Sequence, residues 1–288
     1  MTTVDLDALK SHIGRRQEAT DVLHPGPANL LRLSLARPEP ELKEGDPLPP
    51  AWLALYFLPR FAPSQLRPDG APGDTGVIPA MPLPRRMFAG ERQRFHRALR
   101  LGERVQRQTE LADISVKRGA TGTLVFATVV SRFFGPDGAL AVEEERRTVF
   151  REEIGAGEKN QAPRRDPAPS DVPWQRTVTA DPVLLFRFSA LTFNSHRIHY
   201  DRPWAMDVEG YPGLVVHGPL LTTLLIDFAR DSARGRTIRG YTTQARAPLF
   251  DTAPFELRGR PRPDGRSAEL WAVTPDGTIA TSAEVELE

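Results

Sequence analysis

The sequence predicts an α+β chain built from two similar halves, each a helix followed by antiparallel strands, and three observations carry that prediction. First, two apolar segments of helical spacing begin at proline-glycine punctuation, one after His24-Pro25-Gly26-Pro27 and one after His217-Gly218-Pro219. Proline is tolerated in a first helical turn because the N–H it lacks has no intrahelical partner there. Second, each segment is followed by stretches in which apolar and polar residues alternate, with Gly135-Pro136-Asp137-Gly138 and Pro275-Asp276-Gly277 as turns. Third, residues 155–174 are polar and proline-rich without apolar periodicity, which marks a linker. The expected division is residues 1–154, a linker at 155–174, and residues 175–288.

In chain order, residues 4–18 are weakly amphipathic, with Leu6, Leu9 and Ile13 at helical intervals. A short apolar helix ends near Ala36. Residues 37–84 are rich in proline and glycine around one apolar island, Trp52 to Leu58. This reads as a surface excursion, and loops of such length are functional or poorly ordered, so it is expected to cover the mouth of a binding tunnel. Strands are expected at 92–101, 104–116, 121–133 and 143–150. In the second half, Val183-Leu184-Leu185-Phe186 reads as a buried strand, followed by a histidine-dense turn and a second apolar run, Leu214-Val215-Val216. Leu220, Leu221, Leu224, Leu225 and Phe228 then define a buried helix over 218–230. Strands follow at 238–246, 254–260, 268–274 and 278–286. A helix wrapped by a curved antiparallel meander is the layout of a hot-dog domain.

Composition excludes several classes. With 38 basic against 37 acidic residues, no global field favours nucleic acid. No apolar run approaches the ~20 residues of a membrane span. The N-terminus has early acidic residues and no apolar core of a secretory signal, so a cytoplasmic location is expected. The absence of cysteine removes disulfides, thiolate nucleophiles and cysteine-bound zinc together.

The run Phe188-Ser189-Ala190-Leu191-Thr192-Phe193-Asn194-Ser195-His196-Arg197-Ile198-His199, with Ala205 and Val216-His217-Gly218 beyond it, resembles the active-site segment of the MaoC-like (R)-specific enoyl-thioester hydratases. Their usual pattern is Ser/Thr-Gly-Asp-x-Asn-Pro-Leu/Ile-His with a small residue six further on, then a helix begun at His-Gly. Thr192, Ile198, His199 and Ala205 match it. Phe193, Asn194, His196 and Arg197 depart from it, and Asn194 stands where most members carry an aspartate. The wording F-N-x-H-R-I-H-Y-D resembles the branch of type 2 hydroxyacyl-thioester dehydratases and the mesaconyl-C4-CoA and itaconyl-CoA hydratases. Residues 83–91 resemble that branch's PRRMWAG element, which lies near the substrate in relatives. The resemblance implies a double hot-dog, a degenerate structural N-terminal half, and an acyl-CoA substrate with no separate cofactor. A homodimer is also expected.

Adding water across a double bond conjugated to a thioester needs a base for the water, an acid for Cα, and donors for the charge on the thioester oxygen. Imidazole ionises near cellular pH, so His199 is the expected acid/base. The N–H groups opening a buried helix are free and carry its positive dipole end, and Gly218, without a side chain, lets the thioester approach them. An amide cannot relay a proton, so Asn194 is expected to orient the water. A dicarboxylic acyl group would want an arginine clamp, for which Arg85 and Arg86 are the candidates. In relatives the residue at His217 lines the substrate cavity. His196, His199 and Asp201 invite a metal reading, but no spacing puts the three on one face, and none is expected. Two other readings remain open: a hot-dog thioesterase, revealed by release of free CoA, and a non-catalytic acyl-thioester-binding protein.

Overall fold

The computed structural model describes residues 4–119, 122–152 and 166–288. Its frame is one antiparallel ten-stranded sheet built from β1 (Arg16–Val22), β2 (Arg85–Phe95), β3 (Arg104–Gly119), β4 (Gly122–Phe134), β5 (Leu140–Arg151), β6 (Trp174–Val178), β7 (Ile238–Ala245), β8 (Phe255–Pro261), β9 (Ser267–Val273) and β10 (Ile279–Leu287). Strand order is β1-β3-β4-β5-β2-β7-β10-β9-β8-β6, so each half of the chain supplies five adjacent strands. The halves join where β2 pairs with β7 through Arg92–Thr242, Gln93–Tyr241 and Arg94–Gly240.

Among the described residues, four α-helices accompany the sheet: α1 (Leu6–Lys10), α2 (Pro25–Ser34), α3 (Pro182–Leu191) and α4 (Gly218–Ser232). Ala28 and Leu31 of α2 share one apolar cluster with Leu220, Leu221, Leu225, Ile226 and Phe228 of α4 and with sheet residues of both halves. Each half is a hot-dog, and the two sheets are continuous. The α+β double hot-dog predicted from element order is the observed architecture. Among the described residues, no helix is long and apolar enough to cross a membrane.

Several expected elements differ. Residues 183–188 are helical, inside α3. Asp181 caps that helix by accepting from the Leu184 N–H at 2.8 Å, and Pro182 occupies its first turn. This start signal outweighs the strand-like apolar run, whose Leu185 and Phe188 are buried while Val183 and Phe186 face outward. The weak N-terminal helix shrinks to α1, and Gly14, at φ 89°, turns the chain into β1. The apolar island is core: Trp52 is buried and its indole N–H donates to Asp227 of α4 at 3.1 Å. Of the expected linker, residues 155–165 lie outside the described residues. The remainder is tied down, with Ala168 N–H donating to Gly277 O at 2.9 Å and Ile279 N–H to Asp166 O at 2.9 Å.

Candidate active site

The chain between α3 and α4 crosses the seam of the two halves, and a cavity of about 2040 Å³ opens there. Asn194, His196, His199, Gly218, Phe88 and Arg86 all line it. The crossing begins at Phe193, whose φ of 49° is left-handed, the conformation glycine adopts freely. Phe193 thus holds a glycine-like backbone at the position where the hydratase pattern carries glycine. The turn brings the Asn194 N–H to Ser189 O at 2.8 Å. The Asn194 amide is oriented by its own loop, because Oδ1 accepts from the His196 N–H at 3.1 Å. Its NH₂ is left as a donor toward whatever fills the cavity.

His199 sits on a single turn of 3-10 helix, Arg197–His199, and is buried. Its Nδ1 lies 2.7 Å from the Val215 carbonyl oxygen. A carbonyl only accepts, so Nδ1 carries the proton and Nε2 is the basic nitrogen. Burial and the neighbouring His196 push the pKa of His199 down to about 3, against a smaller upward pull from the Val215 carbonyl. At neutral pH the ring is therefore uncharged and able to accept a proton. His196 meets it edge-on at 5.6 Å and is itself pushed down to about 4, by burial and then by Arg86, Arg67 and Arg85.

Gly218 opens α4, and its N–H has no intrahelical acceptor. A Cβ added there would lie 2.4 Å from Cδ1 of Phe88, so no side chain fits between helix and β2. Glycine at this point keeps the cavity against bare helix backbone.

Two expected site residues are elsewhere. His217 is fully buried behind His199 and does not line the cavity: the rings stack at 3.7 Å, and Nε2 lies 2.8 Å from Ser189 Oγ. As the N-cap of α4 it turns under the helix, and the next residue, Gly218, faces the cavity instead. Arg85 and Arg86 are the first two residues of β2, and successive side chains of a strand point to opposite faces. Arg85 therefore leaves the cavity and is spent on Glu209 at 3.1 Å and the Tyr211 hydroxyl at 2.8 Å. Arg86 lines the cavity, and among the described residues it has no hydrogen bond or ion pair. Asp201 is engaged by Arg197 at 2.7 Å. Among the described residues no cluster of histidine and carboxylate groups could hold a metal.

The excursion of the first half fastens the loop from outside. Ser195 Oγ donates to Gly70 O at 2.6 Å, Arg197 N–H to Asp69 O at 2.8 Å, and an Arg197 guanidinium nitrogen to Pro68 O at 3.2 Å. Sequence reading missed Gly70, Ser189 and the Val215 carbonyl. The last acts through backbone and has no signal in residue type. Gly70 lay among many excursion glycines without distinction.

Residues 51–251 match the family model of hydroxyacyl-thioester dehydratase type 2. The chain is 46% identical over 280 residues to the mesaconyl-C(4)-CoA hydratase of Chloroflexus aurantiacus, covering 96% of each protein. It is 26% identical over 236 residues to the mitochondrial hydroxyacyl-thioester dehydratase type 2 of Schizosaccharomyces pombe, covering 73% of this chain and 77% of that protein. The crystal structure of a MaoC-like dehydratase from Phytophthora capsici superposes with a TM-score of 0.68 at 14% identity, over 99% of each chain, a likeness of fold. Taken with the His199 loop, the glycine-led helix and the two-halved sheet, these matches place the chain in the type 2 hydroxyacyl-thioester dehydratase family, hydratase/dehydratase enzymes of the MaoC-like kind.

Proposed function

We propose that the protein adds water reversibly across the 2,3 double bond of a short, branched, dicarboxylic enoyl-CoA, with mesaconyl-C4-CoA as the substrate. The observation that carries this reading is the fixed tautomer of His199, whose Nδ1–H is held by Val215 O and whose Nε2 is the base in the cavity that Gly218 also lines. The identity of the acyl group is supported by the 46% identical relative.

The step follows from these groups. A water molecule between Asn194 and His199 has its oxygen held by the asparagine NH₂ and loses a proton to Nε2 as the oxygen bonds to Cβ. The electron pair of the double bond moves onto Cα and the thioester carbonyl, whose oxygen gains charge. The Gly218 N–H and the positive end of α4 meet that charge without reorganising. His199, an unfavourable cation in its buried setting, then returns the proton to Cα. Elimination is the same path reversed. Arg86, unpaired and facing the cavity, supplies the counter-charge for the free carboxylate of the substrate. His217 backs the His199 ring and does not touch substrate.

A cytoplasmic location and a homodimer accompany this reading. The test is loss of the enoyl-thioester absorbance with crotonyl-CoA, itaconyl-CoA and mesaconyl-CoA. Mesaconyl-C4-CoA is expected to be hydrated fastest, and His199→Ala to abolish the reaction. Hydration left essentially intact by H199A refutes the mechanism, and release of free CoA would identify a thioesterase instead.

A further inference from the structure

A second cavity of about 390 Å³ adjoins the first and shares Asp21, Tyr56, Leu58, Pro59, Arg60 and Phe193 with it. The reaction proposed above uses none of its residues. Three features set it apart from an ordinary surface hollow. Phe193 is 60% exposed although its φ of 49° is strained for a side-chain-bearing residue, so an apolar ring is held outward at the rim against both solvation and backbone preference. Arg60 also lines the cavity, is exposed and, among the described residues, makes no hydrogen bond or ion pair. His24 contributes an imidazole whose ring likewise has no partner among the described residues. The one carboxylate of the wall is turned away from any ligand: Asp21 accepts from the Val22 N–H at 2.9 Å and the Phe57 N–H at 2.8 Å.

We propose that this side cavity binds the nucleotide end of the CoA substrate, with the Phe193 ring stacked on the adenine and Arg60 against a phosphate. The proposal rests on the thioester reading of the larger cavity and deepens it, because it makes CoA, and not a protein-borne pantetheine arm, the carrier. An aromatic face gives a flat base a low-entropy contact, and an unpaired guanidinium at the rim matches a phosphate. The six shared residues show that the two cavities adjoin.

Isothermal titration calorimetry of the whole protein with CoA and with pantetheine, without turnover, tests this separately from the hydration chemistry. CoA is expected to bind the wild-type protein more tightly than pantetheine. Phe193→Gly, which relieves the left-handed strain and so keeps the loop fold, is expected to erase about fivefold of that advantage. Arg60→Gln is expected to remove a further factor of about fivefold. If pantetheine binds as tightly as CoA, or if both variants keep the full CoA advantage, the proposal is overturned, and the first of these results would point to a carrier protein. Because free CoA is the ligand, loss of the hydratase reading would leave this result standing on its own.

Discussion

Gly70 and Gly76 form a matched pair, since both have a φ of 81°, but a Cβ on Gly76 meets nothing within 4 Å while one on Gly70 would lie 1.9 Å from the backbone oxygen of Ser195. Alanine at either position incurs the left-handed penalty of roughly 1–2 kcal/mol. At Gly70 it also forces the excursion and the active-site loop apart. Of the three hydrogen bonds that fasten the loop, the two nearest this contact, Ser195 Oγ to Gly70 O and Arg197 N–H to Asp69 O, each contribute about 1 kcal/mol. Gly76→Ala should therefore lose about 1–2 kcal/mol, and Gly70→Ala about 3–4 kcal/mol, in urea denaturation. The loop that moves carries Asn194 and His199, and a misplacement of about 1 Å in a reacting geometry can reduce rate by roughly 10²-fold. Under conditions where both variants are folded, kcat of G70A should fall by about that factor, with G76A close to wild type. Equal kcat values for G70A and G76A would refute the idea that the excursion positions the catalytic loop.

Other outcomes follow from the same geometry. If His199 is the neutral base proposed above, with its pKa lowered to about 3, kcat/KM should show no acid limb near pH 6.5, and Asn194→Asp, placing a carboxylate by the ring, should raise the imidazole pKa and bring the limb up into the measured range. The same shift has a stability consequence. A histidine depressed in the folded state favours folding above pH 6.5 and loses that contribution as pH falls toward the folded pKa, so the stability gap between wild type and His199→Gln should shrink by about 2 kcal/mol between pH 7 and pH 5 in urea titrations. Arg86→Gln should raise KM for mesaconyl-C4-CoA by about 10- to 100-fold, the range of a charge-assisted hydrogen bond, and alter crotonyl-CoA kinetics little. Arg85→Gln instead breaks the Glu209 and Tyr211 contacts and should register first as a lowered melting temperature.

What sequence could carry and what it could not divides along physical lines. The four strands after α4 were legible to within a residue or two because each has one face on the core and turns of Gly, Pro and Asp near its ends, whereas β6, an edge strand with largely exposed side chains, was not. β1 escaped notice because it is an edge strand with largely exposed side chains and no alternation to read. α3 was misread on length and apolarity, although Asp181-Pro182 already spelled a capped helix start. His199, Asn194 and Gly218 were found through the resemblance, and all three meet at one cavity. Arg85 was misjudged for a reason that a strand assignment would have supplied: its neighbour holds the inward position. His217 failed differently, since the burial of one imidazole behind another is a tertiary fact that residue order does not encode.

The asparagine at 194 is best understood through the charge of the site. Arg86 stands near His196 without an ion pair among the described residues, Asp69 acting on it only at longer range, and both rings are held neutral by burial. An aspartate at 194 would pair with this positive neighbourhood and stabilise a protonated His199, which could then no longer accept a proton from water. With an amide there, the ring stays a base at rest and becomes a strong acid once it has taken the proton, which is what delivery to Cα requires. On the proposed reading the carboxylate of a dicarboxylic substrate pairs with Arg86, and an amide at 194 keeps that guanidinium available for it. The amide at 194 and the proposed preference for a charged acyl group are thus two sides of one electrostatic arrangement.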